Sequence, residues 1–244
     1  MKACVLSFAC VLLLSLFCCS QSNGVPSDLV RQIFYVKTNE GTGTGFVIEY
    51  KQKQFLITAK HVVQGLPSKN AKIQVFRSEE WKDYSADILT PANKEVDIAV
   101  LELRVPLVTT YWPTELSPGL VNLGGQVYFL GFPHGLHSIL QTEYVPFVKA
   151  GVLSGLDGSD STAVVMYIDG FNNPGFSGGP VVAFDNEHQH WKIIGVIQGY
   201  YPEAARTRVG KEDVDTKILM NSGILVAYSI KHALETIDSA ALAH

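Results

Sequence analysis

From residue 32 onward the apolar positions of this chain come in short runs punctuated by Gly, Pro, Asn and Asp. Gln32–Lys37, Thr44–Tyr50, Gln54–Thr58, Lys72–Phe76, Asp97–Leu103, Gln126–Leu130, Tyr144–Ala150, Ala163–Ile168, Pro180–Phe184 and Trp191–Gln198 each read as a strand. Many carry β-branched or aromatic residues at alternating positions, which puts one face on a core. Short strands with regular turns predict an all-β sandwich or barrel rather than βαβ units. Helical pattern is scarce. Ala59–Gln64 has room for one turn. Ser229–Leu242 predicts a terminal amphipathic helix, with Ile230, Ala233, Leu234 and Ile237 at helical spacing and Ser229 as N-cap. Val105–Gly125, with Pro106, Pro113, Pro118 and Gly119, predicts a bridge between two halves.

The N-terminus follows a different pattern. Lys2 precedes an almost continuous apolar run, Cys4–Phe17, which turns polar in Cys18-Cys19-Ser20-Gln21-Ser22-Asn23-Gly24. That order is the one of a secretory signal peptide ending near Ser20. A membrane-spanning helix needs about 20 apolar residues, and the run stops short of that. A lipid anchor on Cys18 or Cys19 is the other reading, although Phe17 before Cys18 fits its small-residue requirement poorly. Either route predicts a protein that is secreted, periplasmic or held at the cell envelope, with no transmembrane span after processing. All the cysteines (Cys4, Cys10, Cys18 and Cys19) lie in this leader, so the remaining domain holds together without disulfides. Roughly 220 residues suffice for that, as one large β domain or two small barrels. The formal net charge is −4, and no Lys/Arg cluster interrupts it, which argues against a nucleic-acid partner.

Candidate chemistry begins at Asn173-Pro174-Gly175-Phe176-Ser177-Gly178-Gly179-Pro180, just before the apolar run Val181–Phe184. A glycine-flanked serine is by itself an ordinary turn. The density of glycine before a buried strand suits a nucleophile, because an oxyanion needs backbone N–H groups free of side-chain obstruction, here those of Gly175 and Ser177. A serine hydroxyl also needs a base. His232 and His244 read as solvated. His188 and His190 sit beside Asp185-Asn186-Glu187 and read as a hairpin tip, with a metal pair as the alternative. His134 and His137 fall in a loop that can line a cleft. His61 differs: it follows the apolar strand Phe55–Thr58 and Ala59-Lys60 and precedes Val62-Val63, so packing fixes it where a strand end enters a short helical turn. Asp97, leading into Ile98-Ala99-Val100-Leu101, is an acid entering a buried strand and needs a partner. The order His, Asp, Ser is that of the chymotrypsin-type triad, unlike subtilisin or the α/β-hydrolases.

Residues 32–230 resemble the trypsin-like serine peptidases of the HtrA type. Gly41-Thr42-Gly43-Thr44-Gly45-Phe46-Val47-Ile48 is similar to that family's opening hairpin, Leu56–Val63 to its histidine motif, and Asp97–Leu101 to its aspartate motif. Gly131–Leu136 and Lys149–Ser154 resemble its mid-domain turns, and Asp169 through Pro180 its serine motif. The resemblance implies a chymotrypsin fold: two six-stranded antiparallel β-barrels with a C-terminal α-helix. The implied layout is signal peptide 1–20, arm 21–31, a barrel 32–112 with the histidine and aspartate, a barrel 113–228 with the serine, and a helix 229–244. His61 is then general base, Asp97 its orienter and Ser177 the nucleophile, acting on polypeptides without metal or cofactor. A holdase of the same fold with little turnover, and an esterase on small substrates, are the competing readings.

The sequence also departs from relatives. Phe176 stands where animal trypsins carry an Asp that pairs with a freshly cut N-terminus, so activation by that cut is not expected. No PDZ domain is expected either, and little chain precedes the first strand to build an oligomerising arm. The resemblance places the pocket for the residue before the scissile bond at Phe171, Asn172, Ile197, Gln198 and Gly199. With no acid there, Arg and Lys are disfavoured and a small or medium apolar side chain is expected. The charged stretch Pro202–Thr216 reads as a solvated loop, or as a mobile pocket wall that orders around substrate.

Overall fold

The computed structural model describes residues 24–109, 115–117, 122–159, 162–209 and 212–242, with the backbone alone given within 206–217. The leader through Ser20 with Cys18 and Cys19, His244, and Pro113, Pro118 and Gly119 of the bridge lie outside the described residues. Among the described residues no helix is long and apolar enough to cross a membrane.

Strands β1 (Ile33–Lys37), β2 (Thr42–Tyr50), β3 (Lys53–Thr58), β4 (Ala71–Arg77), β5 (Glu80–Leu89) and β6 (Ala99–Leu103) close into a barrel in the order β1-β2-β3-β6-β5-β4. β7 (Glu115–Leu116) and β8 (Gln126–Gly131) follow, then the small hairpin of β9 (Ser138–Leu140) and β10 (Glu143–Val145). β11 (Phe147–Asp157), β12 (Val165–Asp169), β13 (Pro180–Asp185), β14 (His190–Val209) and β15 (Glu212–Ser229) complete a second sheet in the order β13-β8-β11-β12-β15-β14-β7. Pairing of β13 with β14 joins the ends of the β13-to-β14 series into a second ring, with β7 parallel on its outside. The protein is thus all-β apart from short helical turns and the C-terminal helix Lys231–Leu242.

Strands at the centre of the molecule bury both faces. Leu56 faces the first barrel's interior with Val47, Ile73 and Leu101, while its neighbours Phe55 and Ile57 face a second cluster with Phe46, Ile48 and Val100. That second cluster also takes Leu130, Val182 and Val196 from the other ring and Ile230, Ala233 and Ile237 from the helix region. Phe129, Val181, Ile168 and Leu225 fill the second ring. Period-2 alternation therefore survives in the structure as a choice between two cores, and β2 and β3 read as continuous apolar runs.

Several strands went unread in the sequence because their turns lack the usual signature. Arg77 pairs with Glu80 across Ser78 and Glu79, both at positive φ (51° and 66°), a two-residue turn without Asn-Gly. β5 was missed for that reason, and because its outer face is polar. The stretch Pro202–Thr216 is mostly strand: β14 and β15 continue pairing from Pro202↔Asn221 to Val209↔Glu212. There the two strands satisfy each other's backbone hydrogen bonds.

His232, read as solvated, is 3% exposed, and its Nε2 accepts the Val164 N–H at 2.9 Å. His188 and His190 do lie at a hairpin tip, between β13 and β14. The His188 ring bonds Asp185 at 2.9 Å, and His190 bonds Glu115. Lys192, first, and then His188 hold the Asp185 carboxyl well below the usual carboxylate range, and Asp185 in turn raises His188. The His188 contribution to stability is present below the ordinary histidine value and lost as pH rises through its raised value. Asp185→Asn should return His188 toward the ordinary value, read by NMR titration of its ring protons. An unchanged His188 titration would overturn that assignment.

Candidate active site

β3 and β6 are antiparallel neighbours with Thr58 opposite Ala99, so the residues just after β3 meet those just before β6. After Thr58 the chain enters a 3₁₀ turn, Lys60–Val63, whose Val62 and Val63 plug the first barrel. His61, just before them, is left facing solvent. Asp97, whose side chain is 12% exposed, uses both oxygens on it: Oδ2 lies 2.6 Å from His61 Nδ1, and Oδ1 accepts the His61 backbone N–H at 2.9 Å. The Lys60 N–H donates to the Asp97 carbonyl at 3.3 Å, tying the two segments again.

Ser177 comes from the other ring, in the turn between β12 and β13. Phe176 anchors the turn: it is fully buried, edge-on to Phe129 at 5.3 Å. This explains why an apolar residue precedes the serine. Gly178 N–H donates to Ile197 O at 2.8 Å, and Ile197 N–H to Gly179 O at 2.9 Å, so the turn is stitched to β14 on its far side. A Cβ on Gly179 would lie 2.0 Å from Leu130 O, which leaves room only for glycine.

The barrels meet at Thr44. Its N–H donates to Ser177 O at 2.8 Å, and its hydroxyl donates to Gly175 O at 2.7 Å while accepting the Phe132 N–H at 3.2 Å. Its own carbonyl accepts the Thr58 hydroxyl at 2.7 Å. Thr44 is completely buried, so each of these groups would otherwise be unsatisfied. The sequence placed Thr44 in a strand and in the opening hairpin without giving it a role; a polar residue leading an apolar strand was the available signal. Thr44→Val keeps the shape and removes both hydroxyl bonds. It should cost about 1–3 kcal/mol of stability, measured by denaturant unfolding, and slow peptide hydrolysis by loosening the Gly175 turn.

The Gly175 N–H is aimed by its neighbours. The Pro174 carbonyl accepts the His134 N–H at 2.7 Å, and the Pro174–Gly175 peptide bond is trans. In a trans peptide the C=O and N–H point in opposite directions, so the Gly175 N–H is turned away from His134. Neither it nor the Ser177 N–H donates to any described group. Gly175 sits at φ +105°, and a Cβ there would lie 2.1 Å from Phe132 O. His134 thus serves through its backbone, itself at φ 52°. His137 packs against Tyr144 at 4.4 Å between ring centres instead of lining the cleft.

A cleft of about 600 Å³ is lined by His61, Asp97, Asn172, Asn173, Pro174, Ser177, Gln198, Gly199 and Tyr200. The Ser177 hydroxyl donates to Gln198 O at 3.1 Å. Of the expected substrate contacts, Asn172, Gln198 and Gly199 line this cleft. Ile197 is fully buried among the residues that fill the second ring. Phe171 is 54% exposed and stands outside the lining, beside Lys149. The Lys149 ammonium donates to Phe171 O and, at 3.3 Å, to Asn173 Oδ1, and lies over the Phe129 and Phe176 rings. Burial pushes it below the usual lysine range. It braces the wall that leads to Ser177, a role its sequence setting did not suggest.

Among solved structures, the inactive serine-to-alanine form of Rv3671c from M. tuberculosis H37Rv aligns with a TM-score of 0.56 at 18% identity, covering 89% of this chain and 90% of that one. The HtrA-type protease AlgW with a tripeptide aligns at 0.55 and 20% identity, over 87% of this chain and 61% of AlgW. These likenesses establish the chymotrypsin-like fold. Comparison with curated protein sequences gave no match. Residues 43–196, which hold His61, Asp97 and Ser177, match the trypsin-like peptidase domain, and the chain belongs to that family.

Proposed function

We propose that the protein is a serine endopeptidase that hydrolyses peptide bonds of polypeptides through an acyl-enzyme. The observation that carries this reading is one cleft, between the two β structures, that is lined by an Asp97-bonded His61 and by Ser177, with the Gly175 and Ser177 N–H groups donating to no described group. Asp97 on Nδ1 leaves the His61 Nε2 lone pair to take the Ser177 proton. Rotation of the Ser177 hydroxyl from Gln198 O toward His61 starts the reaction; such bonds tighten when substrate binds. The Ser177 oxygen attacks the peptide carbonyl, and its proton passes to Nε2. The Gly175 and Ser177 N–H groups hold the resulting oxyanion, and His61 returns the proton to the departing amine. Water, deprotonated by the same Nε2, then cleaves the Ser177 ester and restores the hydroxyl.

The leader Cys4–Phe17 supports action outside the cytoplasm. Exposure to a fluorophosphonate tests the reading: wild type is expected to carry one covalent label on Ser177 and to cleave casein. Failure to label by a folded protein that still binds unfolded polypeptide would favour the holdase instead.

A further inference from the structure

Asn172 lines the cleft beside Ser177 and is 2% exposed, yet its carboxamide oxygen is buried without a hydrogen-bond partner. Its side chain makes no hydrogen bond to any described residue, whereas its backbone carbonyl is held by the Asn221 amide. Asn221 is itself braced, accepting the Gly223 N–H at 2.9 Å. The wall is therefore fixed while the amide it presents is unspent. A buried amide facing nothing is costly, and proteins rarely keep one that no ligand meets.

Resting on the peptidase reading above, we infer that Asn172 selects a primary amide side chain, glutamine or asparagine, for the residue before the scissile bond. A carboxamide satisfies the Asn172 oxygen with its NH₂ and the Asn172 NH₂ with its oxygen, whichever way the Asn172 amide is turned. An apolar side chain leaves both unpaired. A cation fares no better. The one carboxylate lining the cleft, Asp97, already accepts two bonds from His61, and the Lys149 ammonium stands behind the same wall. A carboxylate can accept from the Asn172 NH₂ but has no donor for the Asn172 oxygen, which stays unpaired. The expected apolar preference assumed Phe171 in the pocket, and Phe171 lies outside it. Tyr200 and Pro174 supply apolar surface for the methylenes of a longer amide.

Peptides identical except for Gln, Asn, Val, Leu, Lys or Glu before the scissile bond test this through kcat/KM. Wild type should favour Gln or Asn over Leu by about tenfold or more, the scale of one unpaired buried polar group. Asn172→Leu, equal in shape, should bring the Gln/Leu ratio to one or below. Asn172→Asp should bring Lys peptides into range by supplying a counter-charge. These are ratios within each variant, so a general loss of rate cancels. A wild-type preference for Val, Leu, Lys or Glu overturns the inference, as does a Gln/Leu ratio that survives in Asn172→Leu. In both cases continued fluorophosphonate labelling leaves the peptidase reading standing. A wild type that neither labels nor cleaves any peptide overturns both.

Discussion

Ser177→Ala is expected to lower casein hydrolysis by about 10⁴- to 10⁶-fold, because it removes the atom on which the proposed acyl-enzyme forms. The folded state should hardly notice. The hydroxyl makes a single hydrogen bond, to Gln198 O at 3.1 Å, and its loss is worth about 1 kcal/mol at most. Phe176, Gly178 and Gly179 hold the turn through the backbone and the core, and none of those contacts passes through the Ser177 side chain. His61→Ala should do similar damage, and the double variant should be scarcely worse than either single one, since base and nucleophile act as a unit. Thermal unfolding and casein hydrolysis of the three variants supply the check. Near-normal hydrolysis in Ser177→Ala, or multiplying losses in the double variant, would overturn the roles given to both residues.

The all-β fold was legible in the strand pattern, and the same pattern singled out three residues that line one cleft. His61, Asp97 and Ser177 were legible because each sits where an apolar run meets a turn: Thr58 into Lys60–Val63, Asp97 before β6, and Ser177 before β13. Strand pairing then does what the order of motifs implied, with Thr58 opposite Ala99 setting His61 beside Asp97. The pocket wall was harder to read. Phe171 and Asn172 are adjacent and face opposite ways, and a turn without regular alternation gives no signal of which faces in. Ile197 is buried while Gln198, at an irregularity in the β14–β15 register, lines the cleft. Strand β5 and the outer reach of β14–β15 are rich in charged and polar residues, so hydrophobic pattern missed them. Thr44 and Lys149 act by joining segments far apart in sequence, Thr44 to Gly175 and Lys149 to Phe171. Such contacts exist only once the chain is folded.

Asp97→Asn separates charge from geometry at the base, and it should cost about 10⁴-fold in kcat. Asp97 accepts two hydrogen bonds from one residue: the His61 backbone N–H on Oδ1 and the ring Nδ1–H on Oδ2. Asparagine can accept only one of them. With its oxygen on the backbone N–H, its NH₂ faces Nδ1, which must then accept; the ring proton moves to Nε2 and blocks proton transfer from Ser177. With its oxygen on the ring, its NH₂ meets the His61 N–H donor to donor, and the 3₁₀ turn that carries His61 is pushed away from the cleft. The first arrangement keeps the fold, so it should prevail: melting temperature within a few degrees of wild type, substrate binding retained, kcat lost. Even where the ring keeps its correct tautomer, the carboxylate that stabilises the imidazolium is gone. Hydrolysis rate and melting temperature measured together on Asp97→Asn decide the matter. Activity within tenfold of wild type would mean that Asp97 only shapes the turn, and the base would have to be orientated by something else.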